Sequence, residues 1–212
     1  MNHKIISLFA SVGGISILYL LSLLNQPIVI DIDQISNFEG KLVTTEGAVI
    51  DYSNGNSNQL ITIQQNNSTL LLFQEAYTNV QIGDIVQATG KIQKYNDVFE
   101  LMVDDSGSIT IINKWQENEI KLEEIAENPS FYINQNVNVS GYVDVIFDDY
   151  FQLVDEENKY IFLAKKPYIE NLTLYPGKKI NIKALFIYDE TQTRYLFEFT
   201  NENHTIIPII ED

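Results

Sequence analysis

The chain contains no cysteine, two histidines and a single arginine, Arg194. Without thiols it cannot form a disulfide framework, a thiolate nucleophile or a cysteine-ligated zinc or iron–sulfur site. His3 lies in an apolar leader, so His204 is the only histidine left for a metal cluster or a catalytic triad, and one is too few. There is also no nucleophile paired with a base and no glycine-rich phosphate loop. We therefore predict a non-catalytic protein with no cofactor and no metal.

Positive charge is scarce as well, with 13 Lys and Arg against 29 Asp and Glu and a net charge of -16. Nucleic-acid binding depends on lysines and arginines that displace counterions from phosphates, and base recognition depends on arginine in particular. The composition therefore disfavours a nucleic-acid partner. Adjacent carboxylates at 104–105, 148–149 and 155–157 could hold calcium, but their spacing is not that of an EF-hand, and solvated turns are the simpler interpretation.

Residues 5–24 form an uncharged apolar run that Pro27 closes. As a helix, the run would be about 30 Å long, the thickness of a bilayer core. We predict a transmembrane anchor over 1–27. The alternatives are a buried helix or a cleaved signal peptide, although no small-residue cleavage site is present. Because Lys4 precedes the run and acidic residues follow it, we predict a single-pass membrane protein with a cytoplasmic N-terminus and extracytoplasmic domains.

Export would also suit the five N-x-[ST] triplets, which begin at Asn66, Asn67, Asn138, Asn171 and Asn203.

Beyond Pro27, short runs rich in Val, Ile, Thr, Tyr and Phe alternate with Gly, Asn and Asp clusters, a pattern typical of β-strands and close turns. We predict an all-β protein with one set of strands over 42–50, 59–64, 69–73, 85–93 and 98–103. A second set is predicted over 137–146, 150–153, 160–163, 179–188 and 195–200. Between the sets we predict a helical turn over 122–126 that Pro129 ends.

The two sets align with each other. Gly47 and Gly83 are 36 residues apart, as are Gly141 and Gly177, and both pairs are offset by 94. At the same offset Val49 falls on Val143, Val86 on Ile180 and Gly90 on Ala184. Matched spacing with matched apolar positions predicts a duplication. We therefore expect two domains, over 28–116 and 117–212.

Two segments carry a resemblance to OB-fold domains of the tRNA-anticodon-binding and single-strand-binding type. Their fourth strand, loop and fifth strand resemble IGDIVQATGKIQKYNDVFELMVDD. Their long first strand resembles EGKLVTTEGAVID, with a bend at Gly47 that a Cβ would obstruct. The resemblance implies two tandem five-stranded barrels. With its apolar leader, the whole chain resembles small membrane-anchored OB-fold proteins of archaea.

The resemblance also implies where a ligand would bind: across strands two and three and the loops after strands one and four, through aromatic rings and lysines. The candidates are Tyr52, Lys91, Lys94, Tyr95, Tyr150, Tyr188 and Arg194. Five further aromatic residues are more typical of barrel core or rim, namely Phe73, Phe151, Tyr160, Phe162 and Tyr195. The negative net charge and the predicted membrane anchor together favour an envelope protein or glycan as the partner. Single-stranded nucleic acid is the alternative.

Overall fold

The computed structural model describes residues 11–19, 26–104, 107–167 and 173–210. Residues 11–19 form a helix, α1, and most of the predicted transmembrane span lies outside the described residues. Within the described ranges, no helix has both the length and the apolar character needed to cross a membrane. The anchor therefore stays a prediction.

The first barrel is built from residues 28–113. Its elements are β1 (Ile28–Val29), a 3-10 helix (Ile32–Phe38), β2 (Leu42–Asn54), β3 (Gln59–Gln65), β4 (Ser68–Gln74), β5 (Ile85–Tyr95), β6 (Val98–Val103) and β7 (Ser108–Asn113). Antiparallel β2, β3 and β4 lead to β6, which is parallel to β4, and β5 closes the barrel by pairing with both β6 and β2. This strand order is that of an OB fold, so the predicted all-β barrel is confirmed for these residues.

The second barrel repeats the same connections over residues 119–208. Its elements are β8 (Glu119–Ile120), α2 (Leu122–Glu127), α3 (Pro129–Tyr132), β9 (Gln135–Ile146), β10 (Tyr150–Val154), β11 (Ile161–Lys165), β12 (Lys179–Asp189), β13 (Arg194–Glu198) and β14 (Thr205–Pro208). Here β11 is parallel to β13, and β12 closes the barrel against β9. The domain boundary near Glu117 stays a prediction.

Strand pairing reproduces the offset of 94 read from the sequence. Gly47 pairs with Val86 in the first barrel, and Gly141 pairs with Ile180 in the second. A Cβ on Gly47 would lie 2.8 Å from the carbonyl oxygen of Gln64, and one on Gly141 would lie 2.7 Å from that of Val154. Both glycines are therefore required where the first strand of each barrel bends across its neighbour.

Four short strands and the 3-10 helix were not predicted. The parallel strands β1 and β8 have two residues each, too few to show any periodicity. The strands β7 and β14 pair with the fourth strand of their barrels, outside the five-strand pattern. The predicted helical turn is present as α2, which ends at Glu127 just before Pro129, and Pro129 in addition begins α3 at a position where the missing proline N–H is not needed.

A helical segment before the first barrel strand adds residues to each core. Ile32 and Ile35 of the 3-10 helix join a core whose buried residues are all aliphatic. Leu122 and Ile125 of α2 join a core rich in phenylalanine. The second core contains the ring contacts of Phe162, Phe186 and Phe197. Each barrel thus has the same skeleton with a differently filled interior.

Trp115 forms the joint between the barrels. Its backbone N–H donates to Asp84, its indole N–H donates to the side chain of Gln81 at 2.8 Å, and its ring meets the His204 ring edge to face at 5.9 Å. Gly83 adopts a φ of 97°, and a Cβ there would overlap the backbone oxygen of Asn136 in the second barrel. The joint is therefore close-packed and polar.

We expect Gly90→Ala to lower the free energy of unfolding by about 2 kcal/mol, because the new methyl group would overlap the carbonyl oxygen of Met102 in the paired strand. Urea unfolding followed by Trp115 fluorescence measures the change. The matched control is Ala184→Gly at the equivalent position of the second barrel, where we expect a loss of about 1 kcal/mol or less. Equal losses in the two variants would contradict the close approach at Gly90.

Candidate ligand-binding faces of the barrels

The outer face of the second barrel is the surface of β10, β11 and β13 that points away from its core. Alternation along the strands places nine residues on this face: Tyr150, Gln152, Val154, Ile161, Leu163, Lys165, Arg194, Leu196 and Glu198. Lys165 pairs with Tyr150 in the strand register and forms an ion pair of 2.9 Å with Glu198, so the three strands present one continuous surface. We call this surface the Arg194 face.

Arg194 and Tyr150 form the centre of this face. The guanidinium carbon lies 4.6 Å from the centroid of the Tyr150 ring, a cation–π contact. Among the described residues, no hydrogen-bond acceptor reaches the buried Nε of Arg194. A buried N–H without an acceptor costs free energy, and a ligand oxygen would satisfy it once the atoms that cover Nε move aside.

Carboxylates balance the positive charges of the Arg194 face. Asp189 pairs with Arg194 in the strand register, and its pKa is held below its usual value. The largest cause is the hydrogen bond from the Thr191 hydroxyl, followed by backbone N–H groups and the nearby charge of Arg194. Because Lys165 is already paired with Glu198, the face offers no excess of positive charge.

Tyr188 does not lie with Tyr150 and Arg194. It is two residues from Phe186 on β12, so it shares the core-facing side of that strand and sits at the barrel mouth, 5.0 Å from the ring of Tyr195. Phe151 and Phe162 are buried in the core, and Tyr195 stacks on Phe186. Phe151, Phe162 and Tyr195 are therefore packing groups, whereas Tyr188 is 38% exposed.

In the first barrel, the structure separates the predicted residues. Lys91 lies opposite Met102 on the outer face, whereas Lys94 pairs with Asp97 at 3.0 Å and lies over the Phe99 ring. Tyr95 is 64% exposed at the end of β5. Apolar side chains dominate this outer face, and Lys91 is the cation among them, so the first barrel lacks an arginine–aromatic pair.

Tyr52 lies within β2, which extends four residues beyond the first strand predicted over 42–50. A register shift between Val49 and Asp51 inserts a bulge in β2, and Tyr52 then pairs with Ile61 rather than with Leu60. Paired residues share a face, and Ile61 belongs to the core side. The bulge thus turns Tyr52 away from the outer face and toward a cleft between the two barrels.

Local geometry in the described residues bears on two other sequence hypotheses, an acidic metal site and glycosylation. Among the described residues, no three acidic or histidine side chains converge to hold a metal ion. Asp155 accepts the backbone N–H of Tyr160 at 2.7 Å, which identifies its loop as a hydrogen-bonded turn. Asn138 is buried and donates to the backbone oxygen of Gln116, so its triplet is not accessible for glycosylation. Asn171 lies outside the described residues.

No protein-family model and no curated protein matches the chain. Among solved structures, a replication protein A heterotrimer bound to ssDNA is 15% identical, covers 42% of this chain and 85% of its own, and has a TM-score of 0.36. Fission yeast Pot1 with ssDNA is 11% identical, with coverages of 84% and 87% and a TM-score of 0.33. The Ifi202 HINa domain with a 20bp dsDNA is 12% identical, with coverages of 80% and 96% and a TM-score of 0.32. Because these identities and TM-scores are low, the OB assignment rests on the strand pairing of the chain itself.

His204 is buried at the joint, a role that the sequence did not reveal. Its Nδ1 accepts the backbone N–H of Thr200 at 2.9 Å, so Nε2 carries the proton and donates to Asn136 at 3.0 Å. Burial lowers the pKa of His204 below its ordinary value of 6.5. A second proton on the ring would point at the Thr200 N–H and break this arrangement.

We expect the free energy of unfolding to fall as the pH drops below 6.5 toward the lower pKa of folded His204. In that window the unfolded chain binds more protons than the folded chain, so acid favours unfolding. Urea titrations at several pH values between about 7.5 and 5.5 measure this dependence, a range that contains the ordinary histidine pKa. His204→Gln is the control, since it leaves every other ionisable group of the chain unchanged. Identical pH profiles for the two proteins would contradict the assignment.

Proposed function

We propose that this chain is a non-catalytic binding protein that holds a segment of a partner protein on the Arg194 face. The observation that carries the proposal is the buried Nε of Arg194, which lacks an acceptor above the Tyr150 ring. When the atoms that cover Nε move aside, a backbone carbonyl or carboxylate of a partner would accept its N–H. Half-buried Leu163 lies on the same face and provides apolar contact, whereas Leu196, its partner in the strand register, is only 3% exposed.

Charge favours a protein over a nucleic acid on this face. Both cations of the face have carboxylate neighbours, Glu198 for Lys165 and Asp189 for Arg194. The net charge of the chain is -16, which repels a phosphate backbone at long range. A polypeptide carries no such charge density and can offer both an oxygen and apolar side chains. An envelope location remains part of this proposal and is supported by the apolar run at 5–24.

Single-stranded nucleic acid is the second candidate. A tyrosine ring under an arginine is also suited to stacking a base, and Lys94 and Tyr95 lie near the loop after the fourth strand of the first barrel. This candidate requires binding that weakens steeply as salt rises, because phosphate contacts release counterions.

The first experiment measures binding of the full chain to a fluorescent mixed-sequence single-stranded oligonucleotide at about 50 mM and about 200 mM salt. We expect no binding at either concentration. Binding at the lower salt that collapses at the higher salt, and that is lost in Arg194→Ala, would replace the protein-binding proposal with the second candidate.

A photo-crosslinking amino acid at Leu163, in cells that produce the protein, tests the favoured proposal. We expect one discrete crosslinked protein, whose yield falls about tenfold in Arg194→Ala, as loss of about 1.4 kcal/mol would require. Arg194→Lys should also fail, because an ammonium cannot reproduce the Nε–H donor. The control places the same crosslinker at Tyr175, an exposed residue outside the Arg194 face. Equal crosslinking in all variants would refute the role of Arg194.

A further inference from the structure

The two barrels enclose a cleft with a volume of about 630 Å³. This lies within the roughly 300–1,000 Å³ typical of ligand sites. The first barrel supplies Tyr52 and Gln81, and the second supplies Asn136 together with the loop of Asn201 and Asn203. The cleft is lined by other residues than the Arg194 face, although Leu185 of the cleft pairs in the strand register with Glu198 of that face.

The lining of this cleft is rich in amides and almost uncharged. Glu202 is the one ionisable acid or base that lines it, in a chain with 29 acidic residues. Without a lysine or arginine, the cleft has nothing to hold a phosphate, and a single carboxylate is too little for a polycation. Four amide side chains make it too polar for a purely apolar ligand.

Hydrogen bonds hold the amide groups in place. Gln81 accepts the indole N–H of Trp115, Asn136 accepts from His204 at 3.0 Å, and Asn201 accepts the backbone N–H of Asn203 at 2.9 Å. With these oxygens engaged, the amide nitrogens of Gln81 and Asn136 remain as donors. Among the described residues, neither nitrogen has an acceptor within hydrogen-bonding distance. Both residues are half-buried, so the donors are fixed at the cleft wall.

Tyr52 adds an aromatic surface to these donors. Its ring is 39% exposed, and the bulge in β2 turns it toward the cleft. A sugar ring presents an apolar C–H face that packs on an aromatic ring, and a rim of hydroxyl groups that accept from and donate to amides. We infer that the cleft between the barrels is a binding site for a neutral saccharide, seated on Tyr52 and hydrogen-bonded to Gln81 and Asn136.

The test uses Trp115, the single tryptophan of the chain, whose indole N–H is bonded to Gln81 at the cleft wall. Full-length protein in detergent is titrated with three neutral probes: chitotriose, maltotriose and mannotriose. We expect at least one to give a saturable change in Trp115 emission. The absence of any change up to about 10 mM, where a complex with a Kd of about 1 mM would be nearly saturated, overturns the proposal.

Variants at Tyr52 separate binding from folding. Tyr52→Ala should weaken the response about tenfold, whereas Tyr52→Phe, which keeps the ring, should stay within about twofold of the parent. Tyr175→Ala is the matched control, since it removes another exposed tyrosine that does not line the cleft. Thermal melting of each variant establishes that it is folded. An unchanged affinity in folded Tyr52→Ala would overturn the assignment of the ring.

A neutral peptide, N-acetyl-trialanine amide, serves as the competing probe because its backbone also offers acceptors to fixed amides. If the peptide saturates the Trp115 response and the three sugars do not, the cleft is a peptide site and the saccharide assignment is wrong. A response to sugars that the peptide does not displace supports the assignment.

Discussion

Both barrels depend on one geometrical constraint, the bending of the first strand so that it can pair with two neighbours at once. In the first barrel, β2 pairs with β3 through one part of its length and with β5 through another. The bend brings the backbone of β2 against Gln64, and only a glycine at position 47 leaves room. Gly141 meets the same requirement in the second barrel. Without this closure, the five strands would form an open sheet with free edges rather than a barrel that encloses a core.

The two barrels share this skeleton but differ on their surfaces. By strand register, Tyr150 and Lys165 of the second barrel occupy the positions of Leu60 and Phe73 in the first. Closure and core packing are therefore maintained in both copies, while the outer face of the first barrel lacks the arginine–tyrosine pair that the second carries. Surface positions are free to diverge because they do not enter the packing that holds each barrel closed. The second barrel is therefore the one whose outer face can make a specific polar contact with a partner.

The contacts around Trp115 join the two barrels and shape the cleft between them, a site that neither barrel has alone. Asp84 and Gln81 of the first barrel hold Trp115 by its two N–H groups, and the ring contacts His204 of the second barrel. The same hydrogen bonds fix the amides that line the cleft. A neutral, buried His204 thus contributes both to the docking of the barrels and to the shape of the space between them.

The sequence by itself determined the fold class, the duplication and the positions of the bend glycines. Strand alternation, turn residues and glycine spacing are local signals, and the offset of 94 between the repeats is also the offset in strand pairing. The sequence likewise separated the acidic surface from the apolar cores, and it included Tyr150 and Arg194 among the candidate residues.

Only the tertiary structure decided which candidate residues share a face. The bulge after Val49 reverses the side on which Tyr52 lies, and no local pattern shows where an extra residue enters a pairing. The contact of Arg194 with Tyr150 joins residues 44 positions apart through the parallel pairing of β11 and β13. The cleft and the environment of His204 depend on how two closed barrels meet, and such contacts between distant segments leave no periodicity in the sequence.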